Sequence, residues 1–326
     1  MTNSEQNTLN SSMELPKKPL VSIGMPVYNG ENYIQNAIES VLTQTYENLE
    51  LIIFDNASTD NTTEICKEYV TGDNRVKYYR NKINLGAGPN YDNCFYKSSG
   101  KYFKWIAHDD MIETSYLEKT VAALENNPAA VLCFTDVLRI DKHNNVIGHC
   151  KFNYPGIFSP NQSSRFSAML KYYAYNECFF SLYRKGVLED SVLHGNYMNS
   201  DLVLVAEVAL RGNFIKIAEP LFLNREHEER FVRTVYPDRI GVSKWFDTHS
   251  NSRKSYRFIT LYRKYIEIIK KNVSDRRERT GCYRHLLLHA FTRRNLKILF
   301  FDLVFFVSPW IYFNGGSIRS ADLKTK

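Results

Sequence analysis

Hydrophobic residues in the first third of the chain alternate between two spacings. Four short runs rich in β-branched and aromatic residues predict strands, at residues 20–25, 49–54, 75–79 and 102–107. Between the first two runs, apolar residues at helical spacing share one helix face: Ile34, Ala37, Ile38, Val41 and Leu42. Further helices are predicted from near residue 61 and over 88–97. Strands that alternate with helices predict an α/β fold with a mostly parallel sheet and flanking helices.

The pattern is less regular in the second half. A strand is predicted over 131–134, and the pair Asn144-Asn145 indicates the turn of a hairpin. Residues 200–211 start with Ser200 and Asp201 and continue as an almost unbroken apolar run. Such a run predicts a buried helix that begins at Ser200 or Asp201.

Polar side chains follow three of the predicted strands. The clusters lie at residues 26–29, 55–58 and 108–110, each directly after an apolar run. In α/β sheets, ligands bind beyond the carboxyl ends of parallel strands, where such clusters meet. Turn chemistry alone explains one cluster more readily than three on the same edge. The sequence therefore predicts a ligand site at this edge of the sheet.

The adjacent carboxylates of Asp109 and Asp110 are the most informative pair in these clusters. Mg²⁺ and Mn²⁺ are commonly held by one or two carboxylates together with the phosphates of a bound nucleotide. The alternative is that both aspartates only open a turn, with Thr114 or Ser115 and Glu118 capping the following helix. The other two clusters favour the metal interpretation.

Composition narrows the class of protein. The chain has 326 residues, 44% hydrophobic and 24% charged, which fits one substantial globular domain with an extension. Its six cysteines show neither CxxC nor histidine-spaced pairs, so buried, reduced thiols are expected rather than zinc or disulfides. Residues 1–19 lack the apolar core of a secretory signal and are expected to form a disordered lead-in. The dinucleotide fingerprint and the Walker P-loop are both absent.

Five segments carry a resemblance to a known family: VSIGMPVYNG at 21–30, SVLTQTY at 40–46, DNASTD at 55–60, NLG at 84–86 and HDD at 108–110. In these the chain resembles the family 2 inverting glycosyltransferases, which have the GT-A nucleotide-sugar-binding fold. Weaker similarity continues to about residue 227. The resemblance implies a GT-A domain over 20–230 and metal-dependent transfer from a UDP- or TDP-linked sugar, with Mg²⁺ or Mn²⁺ as cofactor.

The resemblance also implies roles for the donor-side residues. Pro26, Tyr28 and Asp55 would line the nucleoside pocket, with Tyr28 stacked on the base. Asn56 stands where many relatives have a second aspartate that accepts a hydrogen bond from uracil. Asp109 would contact the ribose or the sugar.

The metal-binding motif departs from the family's DxD form, because its first position is His108. By the resemblance, Asp110 would bind the metal. His227 resembles the C-terminal histidine that completes the metal shell in some members. A surface histidine within a charged run is the alternative for His227.

An inverting transfer requires a base that takes the proton from the attacking hydroxyl. Asp201 is the candidate, and the resemblance places the family's base at the start of a similar helix. An aspartate in the first turn also stabilises a helix through its dipole, which is the alternative role. Glu177 is the substitute acid if Asp201 only caps the helix.

Charge and hydropathy single out the C-terminal part, residues 231–326, which is predicted to be a basic helical extension. Of the formal charge of +7, much lies between residues 253 and 297, where fourteen Lys or Arg face three acidic residues. The apolar segment 296–313 follows; it is interrupted by Asp302 and Pro309, which disfavour a membrane span. An interfacial helix on an anionic leaflet is expected, with packing on the catalytic domain or a second subunit as alternatives. Nucleic acid is not an expected partner.

Together these features predict a cytoplasmic, inverting hexosyltransferase, peripheral on the inner face of the cell membrane. Its partners would be a nucleotide diphosphate-sugar donor and a saccharide or lipid-linked saccharide acceptor, in surface-polysaccharide synthesis. A nucleotidyltransferase is one alternative, although a Gly-rich phosphate loop is missing near Gly24 and Gly30. A carbohydrate-binding or scaffold protein is the other, and it would tolerate loss of Asp110 or Asp201.

Overall fold

The computed structural model describes residues 18–172, 178–230, 245–248 and 257–307. Nearly all of the predicted lead-in, Glu177 and the end of the apolar segment lie outside these ranges. The described strands are β1 (Val21–Val27), β2 (Leu49–Asp55), β3 (Val76–Arg80), β4 (Tyr102–Trp105), β5 (Met111–Ile112), β6 (Ala130–Ile140), β7 (Val146–Cys150), β8 (Leu182–Arg184) and β9 (Asn213–Arg225). The described helices are α1 (Ile34–Leu42), α2 (Thr62–Gly72), α3 (Ala87–Tyr96), α4 (Tyr116–Glu125), α5 (Gln162–Tyr172), α6 (Lys185–Leu188), α7 (Ser200–Arg211), α8 (Arg257–Asn272), α9 (Arg276–Ala290) and α10 (Arg293–Val307).

The described strands form one nine-stranded sheet with the order β3-β2-β1-β4-β8-β6-β9-β5, and β7 pairs with β6. The first four strands pair in parallel, as the βα alternation predicts. Antiparallel pairs enter where β8 joins β4 and β6, and where β9 meets β5. The fold is therefore α/β with a parallel first half and a mixed second half.

Both faces of the sheet are buried, which explains the continuous apolar runs of the first strands. Along β1, Val21, Ile23 and Met25 contribute to one core. Phe103 and Trp105 of β4 contribute to the core on the opposite face. Side chains alternate between faces along a strand, so each helix layer meets a separate apolar surface.

The predicted hairpin is present, and its turn is more polar than its strands. Asn144 adopts a left-handed conformation with φ 69°, and Asp141 accepts hydrogen bonds from the backbone N–H groups of His143 and Asn145. The alternative interpretation of Asp109 and Asp110 predicted the N-cap of α4 correctly, at Ser115, but not its hydrogen bonds. Glu118 instead accepts a hydrogen bond from the Thr45 hydroxyl (2.8 Å), and Ser115 makes no side-chain cap.

The C-terminal helices pack on the rest of the described chain. α8 lies against α7, α9 against α5, and α10 against α8. Tyr265, Ile268 and Ile269 of α8 belong to the same core as Trp105. Within the described residues, we find no helix with both the length and the apolar character to cross a bilayer.

Candidate functional site

The three polar clusters meet at one edge of the sheet, as predicted. The Asn29 backbone N–H donates to the Ser58 hydroxyl (2.9 Å), and the Thr59 backbone N–H donates to the Asn29 side chain (2.9 Å). His108 packs over Gly30 so closely that a Cβ at that glycine would lie 2.7 Å from the imidazole. Only glycine therefore allows the loop after β1 to approach the loop after β4.

Asp55, at the end of β2, is fully buried and saturated with hydrogen bonds. Its four donors are the Ser58 backbone N–H (2.8 Å), the Thr63 hydroxyl (2.9 Å), the Tyr78 hydroxyl (2.6 Å) and Arg80 Nε (3.1 Å). Burial works to raise the pKa of this carboxyl, but the hydrogen bonds outweigh it and hold the pKa below its ordinary value. Asp55 therefore braces the loop from β2.

Asn56 is also buried, and its amide uses its full hydrogen-bonding capacity within the protein. The nitrogen donates to the Asn84 side chain (2.8 Å) and to the Gly86 carbonyl (3.0 Å). The oxygen accepts from the Leu85 backbone (2.9 Å) and the Asn81 side chain (3.0 Å). The predicted contact of Asn56 with a base stays a prediction, and it requires one of these bonds to break.

The other predicted nucleoside residues lie beside this loop. Pro26 is buried within β1, where it pairs in register with Phe54. Tyr28 follows the strand end and keeps 44% of its surface exposed. A half-exposed aromatic ring can stack on a flat ligand without disturbing the core.

His227 lies beside Asp109 at the end of β9. Its Nε2 is 2.8 Å from Asp109 Oδ2, and its ring packs on Tyr33 at 4.7 Å between centroids. Arg225 donates to the Asp109 backbone carbonyl (2.8 Å) and lies over the Tyr33 ring. The Nδ1 atom of His227 is buried and has no hydrogen-bond partner among the described residues. Buried polar atoms of this kind call for a ligand or water.

Asp110 is buried next to Asp109 and is held by β9. It accepts hydrogen bonds from the Arg225 backbone N–H (2.9 Å) and the Asn224 side chain (3.0 Å). Burial, and then the charge of Asp109, raise the pKa of Asp110 well above its usual range. Burial acts on Asp109 in the same direction, but His227 and His108 outweigh it and lower the pKa of that carboxyl. The pair therefore concentrates negative charge in a buried place.

These residues fit a divalent cation that a diphosphate helps to hold. Among the described residues, no group of three or more His, Cys, Asp or Glu side chains converges as a complete metal site. Two adjacent carboxylates and an imidazole with an unsatisfied Nδ1 are nevertheless suitable donors for Mg²⁺ or Mn²⁺. The structure pairs His227 with Asp109, whereas the sequence associated His227 with Asp110.

Asp201 is the second residue of α7 and is buried. Asn199 is the N-cap residue of this helix and has a left-handed conformation with φ 63°. Burial raises the pKa of Asp201 to about 6, and the backbone N–H of Leu202 opposes that rise only in part. A carboxylate with such a pKa suits proton abstraction near neutral pH.

Tyr91 links the two acidic regions. Burial raises the pKa of its hydroxyl above the ordinary value, and the charges of Asp109, Asp110 and Asp201 all act in the same direction. The Tyr91 backbone carbonyl accepts a hydrogen bond from Trp105 Nε1 (2.9 Å) at the end of β4, the strand that precedes Asp109 and Asp110. Its ring stacks on His194 at 4.5 Å. Sequence reasoning missed Tyr91, and only the nearby Asn84-Leu85-Gly86 motif pointed towards this helix.

Asp92 ties α3 to the loop that leads into α7. Its carboxylate accepts from the backbone N–H groups of His194 (2.8 Å) and Gly195 (3.3 Å). Gly88 touches the same loop, since a Cβ there would lie 2.1 Å from the Gly195 carbonyl oxygen. These contacts fix where Asp201 enters the site. No local sequence pattern signals them, because the partners are about a hundred residues apart.

Comparison with known proteins shows the family of this chain. The family model described as glycosyl transferase family 2 matches residues 22–192, which is more than half of the chain. The chain belongs to glycosyl transferase family 2. Among curated members of the family, an uncharacterized glycosyltransferase of Rickettsia typhi is 36% identical over 129 residues, 39% of each chain. Another, from Haemophilus influenzae, is 38% identical over 135 residues, 40% of this chain and 41% of the relative. The matched part thus spans about two fifths of these relatives.

Two solved structures share the fold. TarS residues 1–349 of S. aureus superpose with a TM-score of 0.59 at 15% identity, covering 84% of this chain and 73% of that one. The mannosyltransferase PcManGT from Pyrobaculum calidifontis, in complex with GDP-Man and Mn²⁺, gives 0.54 at 14% identity, with coverages of 92% and 77%. At such identities the likeness establishes the GT-A type of fold, in agreement with the sequence.

Proposed function

We propose that this family 2 member is an inverting, metal-dependent hexosyltransferase that moves a sugar from a nucleotide diphosphate-sugar to a saccharide or lipid-linked saccharide acceptor. The arrangement around Tyr91 carries the proposal. The Tyr91 carbonyl accepts from Trp105 Nε1 of β4, the strand before Asp109 and Asp110, and the Tyr91 ring stacks on His194. His194 Nδ1 lies 3.4 Å from the hydroxyl of Ser200, the residue before Asp201. A phosphate-binding group and a base within one site are what a displacement at an anomeric carbon requires.

On the donor side, Asp109, Asp110 and His227 would hold Mg²⁺ or Mn²⁺. The bound ion would neutralise charge on the diphosphate as it leaves. Tyr28 would stack on the base, with Pro26, Asp55 and Asn56 forming the floor of the nucleoside pocket. We propose a uridine or thymidine donor. Support comes from the solved complexes of TarS with UDP and UDP-GlcNAc, although PcManGT holds GDP-Man.

On the acceptor side, Asp201 would take the proton from the attacking hydroxyl. Its pKa of about 6 leaves it ionised at neutral pH and still basic enough for the task. The raised pKa of Tyr91 keeps that hydroxyl protonated, so it can donate a hydrogen bond within the same site. Asp92 and Gly88 position the loop before Asp201.

We assign the transfer to residues 20–230 and treat residues 231–326 as an extension that attaches the enzyme to the inner face of the cytoplasmic membrane. Attachment there would bring the site to acceptors built on lipid carriers during surface-polysaccharide synthesis. The basic character of the extension supports this assignment.

Thermal unfolding with nucleotides tests the proposal. The purified protein is melted with UDP, TDP, GDP or CMP, each with and without Mn²⁺, because a ligand at 100 times its Kd adds about 2.7 kcal/mol to stability. We expect UDP or TDP to stabilise the protein only when metal is present. The Asp110→Ala variant is the matched control and should show no metal-dependent gain. If no nucleotide stabilises the wild-type protein, the carbohydrate-binding alternative becomes the better explanation.

A further inference from the structure

Helix α10 has an inverted distribution of polar and apolar side chains. Among its described side chains, the two that are buried are polar, Asn295 and Asp302. The Asn295 amide donates to the His289 carbonyl (2.7 Å), and Asp302 accepts from the Phe258 backbone N–H (2.7 Å). Hydrogen bonds thus hold this helix to α8 and α9, where most surface helices use an apolar face.

Among the described side chains of α10, Leu296, Phe300 and Leu303 are exposed and continue the exposed residues at the end of α9, whereas Ile298 and Leu299 are half-buried. Six large residues have between 41% and 66% of their surface exposed: Leu287, Leu288, Phe291, Leu296, Phe300 and Leu303. Leu296, Phe300 and Leu303 are spaced four and three residues apart, so they share one helix face. Only Phe291 and Thr292 separate the two helices. Exposed apolar side chains gathered in this way mark an interaction surface.

Basic residues border this apolar surface. Residues 276–300 contain seven Lys or Arg and a single acidic residue, Glu278. Arg284 lies one turn before Leu287 and Leu288, and Arg293 lies one turn before Leu296, so each shares a helix face with apolar residues. Arg284, Arg293, Arg294 and Lys297 are all exposed. The surface therefore combines apolar side chains with positive charge.

We propose that the exposed face of α9 and α10 docks on an anionic lipid leaflet, with the six apolar side chains inserted between headgroups and the basic residues against lipid phosphates. Interfacial helices bind membranes by this combination of apolar burial and electrostatic attraction. A second copy of the chain fits less well, because a two-fold interface would bring this basic surface against itself. This inference rests on the membrane attachment proposed above and names its lipid partner. The surface does not include Asp201 or the pair Asp109 and Asp110.

Vesicle sedimentation tests the docking surface. The purified full-length protein is mixed with vesicles of phosphatidylcholine alone, or of phosphatidylcholine with phosphatidylglycerol. We expect binding to the anionic vesicles, weakened by salt. Phe291→Ser and Phe300→Ser should each lower the partition coefficient by about tenfold, the value of one large apolar side chain moved out of water. Arg293→Gln combined with Arg294→Gln should weaken binding to anionic vesicles specifically.

Phe158→Ser is the matched control, because Phe158 is 54% exposed but lies outside α9 and α10. It should bind vesicles as the wild type does. Absence of binding to every vesicle, or equal binding of Phe300→Ser and wild type, would overturn the proposal. A concentration-dependent dimer that Phe291→Ser and Phe300→Ser dissociate would assign the surface to a second copy instead. Nucleotide-induced stabilisation is measured on the same samples, so a failure of vesicle binding is distinguished from a failure of the transferase proposal.

Discussion

Asp55 and Asp110 lie at the same edge of the sheet, and both are buried. Asp55 ends β2 and Asp110 lies in the loop after β4, and both strands pair with β1. Four donors surround Asp55, and its pKa is lowered. Among the described residues, Asp110 accepts hydrogen bonds only from Asn224 and Arg225; it lies next to another carboxylate and has a raised pKa. The pKa values of these two buried carboxyl groups therefore shift in opposite directions. Hydrogen-bond donors compensate for burial at Asp55, whereas the charge of Asp110 is left for a ligand to balance.

A similar contrast in hydrogen bonding exists between two buried carboxylates of α7. Glu207 is buried but bonded to Arg211 (2.6 Å), to the Val192 backbone N–H (2.8 Å) and to Asn272 (3.0 Å). In the part of the chain that the structure describes, only backbone groups at the helix start offset the burial of Asp201, six residues earlier. Asp55 and Glu207 therefore stabilise the fold, whereas the proposed roles in sugar transfer fall to Asp110 and Asp201.

Asp201→Asn gives the largest expected effect. Loss of a general base should lower kcat for sugar transfer by about 10²- to 10⁴-fold. Donor binding, measured as metal-dependent thermal stabilisation, should be unchanged. Loss of donor affinity in this variant would contradict the role given to Asp201.

The stability of the same variant sharpens the comparison within α7. Because the folded-state pKa of Asp201 is raised to about 6, its ionised form is disfavoured in the folded protein, and this cost is present above pH 6. Asp201→Asn should therefore stabilise the protein at pH 8, by on the order of 2 kcal/mol in urea unfolding. Glu207→Gln, the control in the same helix, should destabilise it.

Asp110→Asn should remove metal-dependent nucleotide binding completely. Without metal, the variant should be at least as stable as the wild type, because it relieves the repulsion from Asp109. Titration calorimetry with Mn²⁺ and UDP measures the first effect, and urea unfolding in EDTA measures the second. A variant that binds UDP and Mn²⁺ as well as the wild type does would show that Asp110 is not part of the metal site.

Asp55→Ala should behave in the opposite way. The change leaves the donors of Ser58, Tyr78 and Arg80 without their buried acceptor, so the free energy of unfolding should fall by about 3 kcal/mol. Urea unfolding at pH 7 measures the loss. If Asp55→Ala and Asp110→Asn change stability equally, the distinction between the two carboxylates is wrong.

The pH dependence of transfer is the mildest test. Asp201 acts as a base only when ionised, and its raised pKa means that it gains a proton as the pH falls through about 6. We therefore expect kcat/KM to fall about tenfold per pH unit below pH 6, where an unperturbed aspartate would keep the rate constant to near pH 4. A rate that stays level from pH 7 to pH 4.5 would exclude Asp201 as the titrating base.

The sequence predicted the parallel strands, their helices and the meeting of three polar clusters, because these follow from local periodicity and from the geometry of βα units. It predicted a strand over 131–134, whereas β6 runs from Ala130 to Ile140. Charged Asp136 interrupts the apolar pattern, yet it is buried and bonded to Lys216 at 2.7 Å. The extra strand length depends on a partner eighty residues away.

Contacts between distant segments escaped sequence reasoning for the same reason. The bonds from Asn224 and Arg225 to Asp110, and from Asp92 to the loop before α7, join residues about a hundred positions apart. Ser115 is the N-cap residue as predicted, but its side chain makes no cap hydrogen bond, and Glu118 bonds to Thr45 instead. Local patterns therefore identified the polar residues of the site. Tertiary packing decides which of them have hydrogen-bond partners within the protein.

His227 follows the end of β9, and this late position in the chain has a consequence for biosynthesis. A chain emerging from the ribosome exposes Asp55 and Asp110 long before residues 224–227, which hold Asp110 and contact Asp109, have been made. Proteins are synthesised from the N-terminus, and early domains can fold first. The parallel strands can therefore assemble around Asp55 and its four donors during translation, whereas the proposed metal site forms only after β9 has joined β6. A nascent chain stalled before β9 would be folded in part and unable to bind the donor.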